Sequence, residues 1–476
     1  MNQIKSIFKN TSWMTVSQAV TSLCAFIWTI IIARYLGVSD YGIVSFAISF
    51  TALTIIIMDL GMSTYATREL SRDKNQISKY VNNILPFKIL LSIALFLISW
   101  VILYLMGYDV LTIEVTLIFT IEMFFMSMVN FFNGIFQAFE ELKYQAMGTI
   151  LNSGLLLVGI LITIGLNLGV IAIAGSYTVA YLIFLIFMII KFVQKFGVPG
   201  FEFDLSFWKD TVIKSAPFGL TNFFYTIYFS IDIVMLSYLS GDYATGLYKS
   251  AYNIINVFTT FYAVYQFTIF PVMSKFFVES KNLLKVSYEQ SVKYLLLIIL
   301  PISIYALLYA RPIINLIYSN QYSLASVPMQ ILIWTVAFLF VNGAASVLLN
   351  AIDKEFTVTK IYIVAAVFNV ILNSIMIPNF GYNGAAIATV LSEILICGLT
   401  TYCIFKTDFK PDWNLLKTVF KLIISTIVLG IVLYYVNINM WLAIPIGFVV
   451  YVVMLFITRT IDDVDKFIIK ELLDKN

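Results

Sequence analysis

Eight ionisable side chains sit inside stretches that are otherwise too apolar to solvate them: Arg34, Asp59, Lys88, Glu122, Asp232, Lys249, Arg311 and Glu393. A charge at the centre of a bilayer costs roughly 2.5–3.5 kcal/mol on insertion scales, so it ordinarily faces a water-filled cavity or a partner. Two readings fit. In the first, the cations Arg34, Lys88, Lys249 and Arg311 line a hydrated cavity and bind an anionic group. The carboxylates Asp232, Glu122 and Glu393 are then candidates for Na+ or H+ coupling. In the second, the same groups form ion pairs within a bundle or snorkel to the interface. Arg34 and Asp59, near the ends of their runs, lean to the second reading; Lys249, Arg311 and Asp232, placed deeper, lean to the first.

Helical spacing extends the set. Lys249, Asn253, Asn256 and Thr260 recur at i, i+4, i+7 and i+11, a polar stripe on one face. In the preceding run Asn222, Tyr225 and Asp232 share a face, and Thr15, Gln18, Ser22 and Thr29 line one side of the first. Asn222, Tyr225, Asn253 and Asn256 are therefore candidate cavity residues, with Tyr225 and Tyr252 offering ring faces for stacking. Such stripes also mediate helix packing through interhelical hydrogen bonds. Polar faces on three separate runs favour a cleft between two bundles.

The elements that position these groups are membrane spans. Apolar residues make up 61% of the 476-residue chain and charged ones 12%, half the roughly 25% of a soluble domain. About fourteen helices of about 21 residues would use roughly 60% of the chain, which matches the apolar share. This composition excludes a secreted disulfide scaffold, a nucleic-acid-binding module and a disordered chain. There is no histidine, and Cys24, Cys397 and Cys403 lie in apolar stretches with no CxxC spacing. Histidine-dependent nucleophiles, histidine-ligated metals and zinc sites are therefore unsupported.

The fourteen apolar runs fall near 11–35, 39–62, 81–106, 111–134, 147–166, 169–192, 215–240, 243–270, 291–318, 328–350, 356–377, 384–406, 416–436 and 440–458. The first is too long for a signal peptide, and Ala33-Arg34-Tyr35-Leu36-Gly37 has no small-residue cleavage pattern. Of the 29 Lys and Arg, all but Arg34, Lys88, Lys249 and Arg311 lie in the tails, in connections after even-numbered runs or at the adjoining ends. The positive-inside rule then puts both termini in the cytoplasm, which requires an even number of spans.

Order-preserving matches relate the two halves. Tyr35-Leu36-Gly37-Val38-Ser39-Asp40-Tyr41-Gly42 returns as Tyr238-Leu239-Ser240-Gly241-Asp242-Tyr243-Ala244-Thr245-Gly246. Leu85-Pro86 answers Leu300-Pro301, Gln137-Ala138 answers Asn350-Ala351, and Gly169 answers Gly381. Six spans separate equivalents, so the copies share one orientation, a parallel repeat of the kind transporters use. The expected architecture is an all-α integral membrane protein of two six-helix lobes, 1–192 and 215–406, joined by a cytoplasmic linker at 193–214. The stretch 407–476 holds an appended helix pair and a tail. Pro86 and Pro301, in equivalent spans, mark hinges or static kinks.

The sequence resembles the polysaccharide-biosynthesis membrane proteins, flippases for lipid-linked oligosaccharides of the O-antigen type. Their superfamily also holds multidrug and toxic compound extrusion transporters and lipid II flippases. The resemblance is carried by Ala33-Arg34-Tyr35-Leu36-Gly37 with Tyr41-Gly42, by Asp59-Leu60-Gly61, and by Gly134-Ile135-Phe136-Gln137-Ala138. It continues in Ser230-Ile231-Asp232, in Gly246-Leu247-Tyr248, and in the stretch from Ile377 to Ala388 followed by Glu393. It implies a rocker-switch flippase in the cell membrane that moves a polyprenyl-linked sugar from the cytoplasmic to the outer leaflet. Arg34 and Asp232 stand where the family usually has Arg and Asp, whereas Lys249 replaces a usual small residue.

On that reading the lipid's phosphate or diphosphate pairs with Arg34, Lys88, Lys249 and Arg311, the glycan occupies the hydrated cleft, and the prenyl tail stays in lipid. Expected partners are a lipid-linked oligosaccharide, membrane lipids, and a glycan polymerase or glycosyltransferases; no cofactor is expected. A drug or organic-cation antiporter of the same fold is the alternative, and it predicts a cavity dominated by acidic residues. A membrane enzyme such as a glycan polymerase would need a sizeable outer loop with paired catalytic residues, and the outer connections are short and carry no cation.

Overall fold

In lipid every backbone N–H and C=O must be satisfied within its own segment, so an apolar chain of this kind folds as helices. The computed structural model describes residues 2–436 and 438–460, without the side chains of 2–12, 15, 221, 222, 225, 260, 263 and 267. Thirteen α-helices follow in order: α1 (Asn2–Asp59), α2 (Met62–Arg72), α3 (Ile77–Leu105), α4 (Val110–Ala138), α5 (Leu142–Gly165), α6 (Gly169–Phe196) and α7 (Leu205–Glu279). They continue as α8 (Lys281–Leu308), α9 (Ala310–Tyr318), α10 (Ser326–Ala351), α11 (Glu355–Phe405), α12 (Trp413–Val436) and α13 (Met440–Ile457). Among the described residues there is no strand.

Among the described residues, eleven helices are long and apolar enough to cross a membrane. Three of them, α1, α7 and α11, are each broken once, at Gly37, Gly241 and Gly381. Counting each broken helix as two gives the fourteen spans that the apolar runs predict. The long helices also leave many large apolar side chains outward, such as Leu442, Phe448 and Val453 of α13, as a lipid-facing surface requires.

Several positions matched between the two halves share a backbone conformation. Gly37 (φ 75°, ψ −178°) and Gly241 (φ 80°, ψ 176°) adopt one conformation at equivalent positions. Glu140 and Asp353 both end their helices with a left-handed residue, at φ 60° and 59°. Each donates its N–H back to the residue three earlier, Gln137 and Asn350. Gly169 and Gly381 also have positive φ. Pro86 and Pro301 lie inside helices that continue on either side of them, α3 and α8.

The chain forms two compact units, Met1–Gly246 and Leu247–Asn476. In the first, α2, α3, α4 and α6 enclose an aromatic-rich core that includes Tyr65, Tyr80, Phe131, Phe132, Phe136 and Phe192. In the second, α10 is buried along most of its length and packs on α8 and α11, with α12 against α8.

Two expectations change in detail. Most of the linker expected at 193–214 is helical, because α6 runs to Phe196 and α7 starts at Leu205. The stretch between them is pinned to α3. Gly200 N donates to Asn82 Oδ1 (2.7 Å), and Asn82 and Asn83 each donate to one carboxylate oxygen of Glu202 (2.9 Å). The run at 291–318 is two helices, α8 and the short α9, which parts from it at Tyr309. Pro312 falls in the first turn of α9, where a missing N–H costs nothing.

Candidate functional site

The end of α1 shows how the chain builds a polar interior. After Asp59 the backbone enters two left-handed residues, Leu60 (φ 47°) and Gly61 (φ 76°), and α2 begins at Met62. A Cβ at Gly61 would lie 2.6 Å from both Gly219 N and Ser215 O of α7, so the turn demands glycine by conformation and by space. Gly61→Ala should destabilise the protein by about 1–3 kcal/mol, read as a lower unfolding temperature in detergent. An unchanged melting curve would contradict this assignment.

The turn places Asp59 above the first residues of α2. Its carboxylate accepts from the Ser63 hydroxyl and from Ser63 N (3.4 Å). From α3, Lys88 donates to the Asp59 carboxylate and to Ser63 Oγ (3.3 Å). Its ammonium also lies 5.8 Å from the centre of the Phe131 ring. Lys88 is fully buried, while the Asp59 side chain keeps 22% of its surface exposed. A buried lysine is tolerable only when its charge is met, and here Asp59 meets it. For Lys88 the geometry is therefore that of an ion pair within one unit.

The exposed side of Asp59 opens into a cavity of about 490 Å³. Helix α4 supplies Asn130, Asn133, Gly134 and Gln137 to its wall, spaced i, i+3, i+4 and i+7 on one face. Helix α2 adds Ser63, Thr64 and Thr67, α5 adds Gln145, and α7 adds Gly219 and Thr226. Gly134 permits the close approach of α2 and α4, since a Cβ there would collide with the Thr67 hydroxyl. Asn133 Oδ1 is buried and has no hydrogen-bond partner among the described residues. In the turn between α4 and α5, burial alone would raise the Glu141 carboxyl. Hydrogen bonds and charge from Lys195 and Lys143 outweigh it and hold Glu141 below the ordinary carboxylate range.

The other sequence-predicted residues are distributed more widely. Arg34 is exposed on α1 just before the Gly37 break. The helical stretch from Gly37 to Asp59 spans roughly 30 Å at 1.5 Å per residue, so Arg34 and Lys88 work at different depths and cannot grip one phosphate together. Glu122 is buried in α4 near Tyr177 and Tyr181 of α6, and its Oε2 has no hydrogen-bond partner among the described residues. Asp232 is buried in α7. The side chains of Asn222 and Tyr225 lie outside those described.

In the second unit, Lys249 follows the Gly241 break and is half-buried, its ammonium 5.8 Å from the centre of the Tyr252 ring. Tyr252 stacks on Tyr248 (5.7 Å), whose hydroxyl bonds to that of Thr389 (3.0 Å). Asn253 and Asn256 are half-buried on the following turns. Arg311 lies in the first turn of α9 and is exposed rather than deep in a span. Glu393 is buried and accepts from Asn342 Nδ2, which bonds its carboxylate (2.6 Å) and its main-chain oxygen (3.1 Å).

Sequence reading missed Asn130, Asn133, Gln145, Thr64 and Thr67 as cavity residues. A signal was available in α4, where Asn130, Asn133 and Gln137 repeat at helical spacing. Two of the stretches that carried the family resemblance, Asp59-Leu60-Gly61 and Gly134 to Gln137, meet in this cavity.

An all-helical, membrane-spanning protein with a polar pocket inside its first unit has the architecture of a membrane transporter. Residues 7–277 match the family described as polysaccharide biosynthesis protein, and the chain belongs to that family. A second family, MatE, matches residues 217–375. An uncharacterised membrane protein of Methanocaldococcus jannaschii is 25% identical over 430 residues, covering 83% of each chain. The probable low-salt glycan biosynthesis flippase Agl15 of Haloferax volcanii is 25% identical over 165 residues, 34% of each chain. In fold, the chain is similar to the lipid II flippase MurJ in an inward closed conformation, with a TM-score of 0.78 and 15% identity. That likeness covers 94% of this chain and 98% of the other.

Proposed function

We propose that this protein is a flippase that carries a polyprenyl-phosphate- or diphosphate-linked oligosaccharide from the cytoplasmic to the outer leaflet by alternating access, for assembly of cell-surface polysaccharide. The observation that carries the reading is the family match over residues 7–277, and the MurJ-like fold over almost the whole chain is consistent with it. The protein would sit in the cell membrane with both termini cytoplasmic, as its cation distribution predicts. It would take its substrate from glycosyltransferases and deliver it to a polymerase or ligase.

Arg34, Lys249 and Arg311 are the cations offered to the lipid's phosphates. Lys88 is left out because its ammonium already serves Asp59. Each elementary charge moved across the membrane is worth roughly 2.3 kcal/mol per 100 mV, so an anionic lipid leaving a negative interior travels downhill. Asp232, Glu122 and Glu393 are the candidates for added Na+ or H+ coupling.

A direct test is flipping of a fluorescent polyprenyl-diphosphate-linked disaccharide by the purified protein in proteoliposomes. The double variant Lys249→Ala/Arg311→Ala should slow flipping at least tenfold. Arg311→Lys should recover only part of the rate, because the bidentate grip on phosphate is lost. Unchanged flipping by the double variant would remove these two cations from the mechanism. The MatE match supports a second reading, an organic-cation antiporter. Efflux of tetraphenylphosphonium without any lipid flipping would establish it.

A further inference from the structure

We propose that the cavity at the Asp59 turn is a saccharide subsite that reads sugar hydroxyl and acetamido groups and does not hold the phosphate. The identity of the ligand rests on the flippase reading; the chemistry of the pocket rests on the geometry of the first unit alone.

Three observations carry the inference. The volume of about 490 Å³ falls inside the roughly 300–1,000 Å³ range of small-ligand pockets. The wall then presents paired donors and acceptors: the amides of Asn130, Asn133, Gln137 and Gln145 and the hydroxyls of Thr64 and Thr67. An amide offers two donors and an acceptor, and a hydroxyl offers both, so the set matches a ligand that carries many hydroxyls. Asn133 Oδ1 is already desolvated and lacks a protein partner; a ligand hydroxyl or amide N–H would satisfy it and recover the cost of burying it alone.

Charge decides between sugar and phosphate. Among the described residues Asp59 is the one ionisable residue in the cavity lining, and its charge is balanced from behind by Lys88, which is fully buried. A phosphate entering here would find no free cation and would face a carboxylate. A sugar hydroxyl would find in that same carboxylate a strong acceptor, since hydrogen bonds to charged groups are the stronger kind. Lys88 is thus a positioning residue that fixes the acceptor.

The subsite predicts that affinity for the glycan and affinity for the lipid phosphate separate. Binding is measured with the full chain in nanodiscs, using a polyprenyl diphosphate that carries an N-acetylglucosamine disaccharide and the same lipid without sugar. The wild type should bind the glycosylated lipid at least fivefold tighter. Gln137→Leu, on the exposed cavity wall, and Asn133→Leu should each erase that preference and leave affinity for the bare lipid unchanged. Gln137→Leu keeps the test valid if the more buried Asn133→Leu does not fold.

Equal wild-type affinity for the two lipids overturns the subsite. So do variants that keep the preference, or variants that weaken both lipids alike. Failure of the flippase reading would look different: the preference for glycosylated lipid would persist in nanodiscs, and proteoliposomes would flip neither lipid.

Discussion

Asp59→Asn should destabilise the protein by about 3–5 kcal/mol, the scale for removing one partner of a buried ion pair. The loss should appear as a sharp fall in the unfolding temperature of the purified protein. The substitution is nearly isosteric and keeps an oxygen for Ser63, so its effect isolates the charge. What remains is the Lys88 ammonium, fully buried, with the Ser63 hydroxyl in place of a carboxylate.

The reverse change, Lys88→Met, should cost less. It leaves an aspartate whose side chain is 22% exposed and borders a polar cavity. The double variant Asp59→Asn/Lys88→Met removes both charges and should recover most of the loss, because replacing a whole buried pair by neutral groups is close to neutral in many proteins. If Asp59→Asn alone melts with the wild type, the ion pair does not hold this turn. If the double variant is as unstable as Asp59→Asn, the harm came from lost packing instead.

Gly42→Val and Gly246→Val should each reduce the yield of folded protein severely. A Cβ at Gly42 would collide with the main-chain oxygen of Asp242, and a Cβ at Gly246 with that of Val38. The contact is reciprocal: each glycine of the repeated Tyr-to-Gly stretch faces the turn of the other copy. Backbone cannot rotate away as a side chain can, so the helices must part. The cost should exceed the roughly 1–3 kcal/mol of ordinary overpacking. Gly175→Ala in α6 is the matched control. It has nothing within 4 Å of its would-be Cβ and should be neutral or mildly stabilising, as alanine is the better helix former. Size-exclusion profiles and melting curves read both results. Wild-type behaviour of Gly42→Val would place the two turns farther apart than described.

Much of the architecture is legible along the chain because its causes are local. A run of apolar residues long enough to span a bilayer must be a helix, and that holds whatever it packs against. The apolar runs reappear as helix among the described residues, three pairs of them joined through a single glycine in each of α1, α7 and α11. The matches at Gly37 and Gly241, and at Gln137 and Asn350, point to turns whose dihedral angles repeat, since turn conformation is set by a few neighbouring residues. Limits appear where apolarity alone carries the reading. The run at 291–318 is largely apolar, yet it holds two helices, and Arg311 consequently sits in a short one, exposed.

The candidate site was less legible. Spacing identifies which residues share one helix face, and so it finds Lys249 with Asn253 and Asn256. It is silent on which face meets which helix. Lys88 and Asp59 are 29 residues apart, and in sequence they read equally as a phosphate-binding cation and a separate helix-end carboxylate. Only packing brings α3 against the turn after α1, cancels the two charges, and leaves the carboxylate facing a cavity. The amides of α4 acquire their role the same way, from the neighbours that α2 and α5 provide. The sequence by itself therefore determined the helical spans and the glycines that punctuate them, because hydrophobicity and turn chemistry act over a few residues. Which charges are spent on each other and which polar groups share a space was decided by tertiary structure, because those energies depend on distances that the order of residues does not contain.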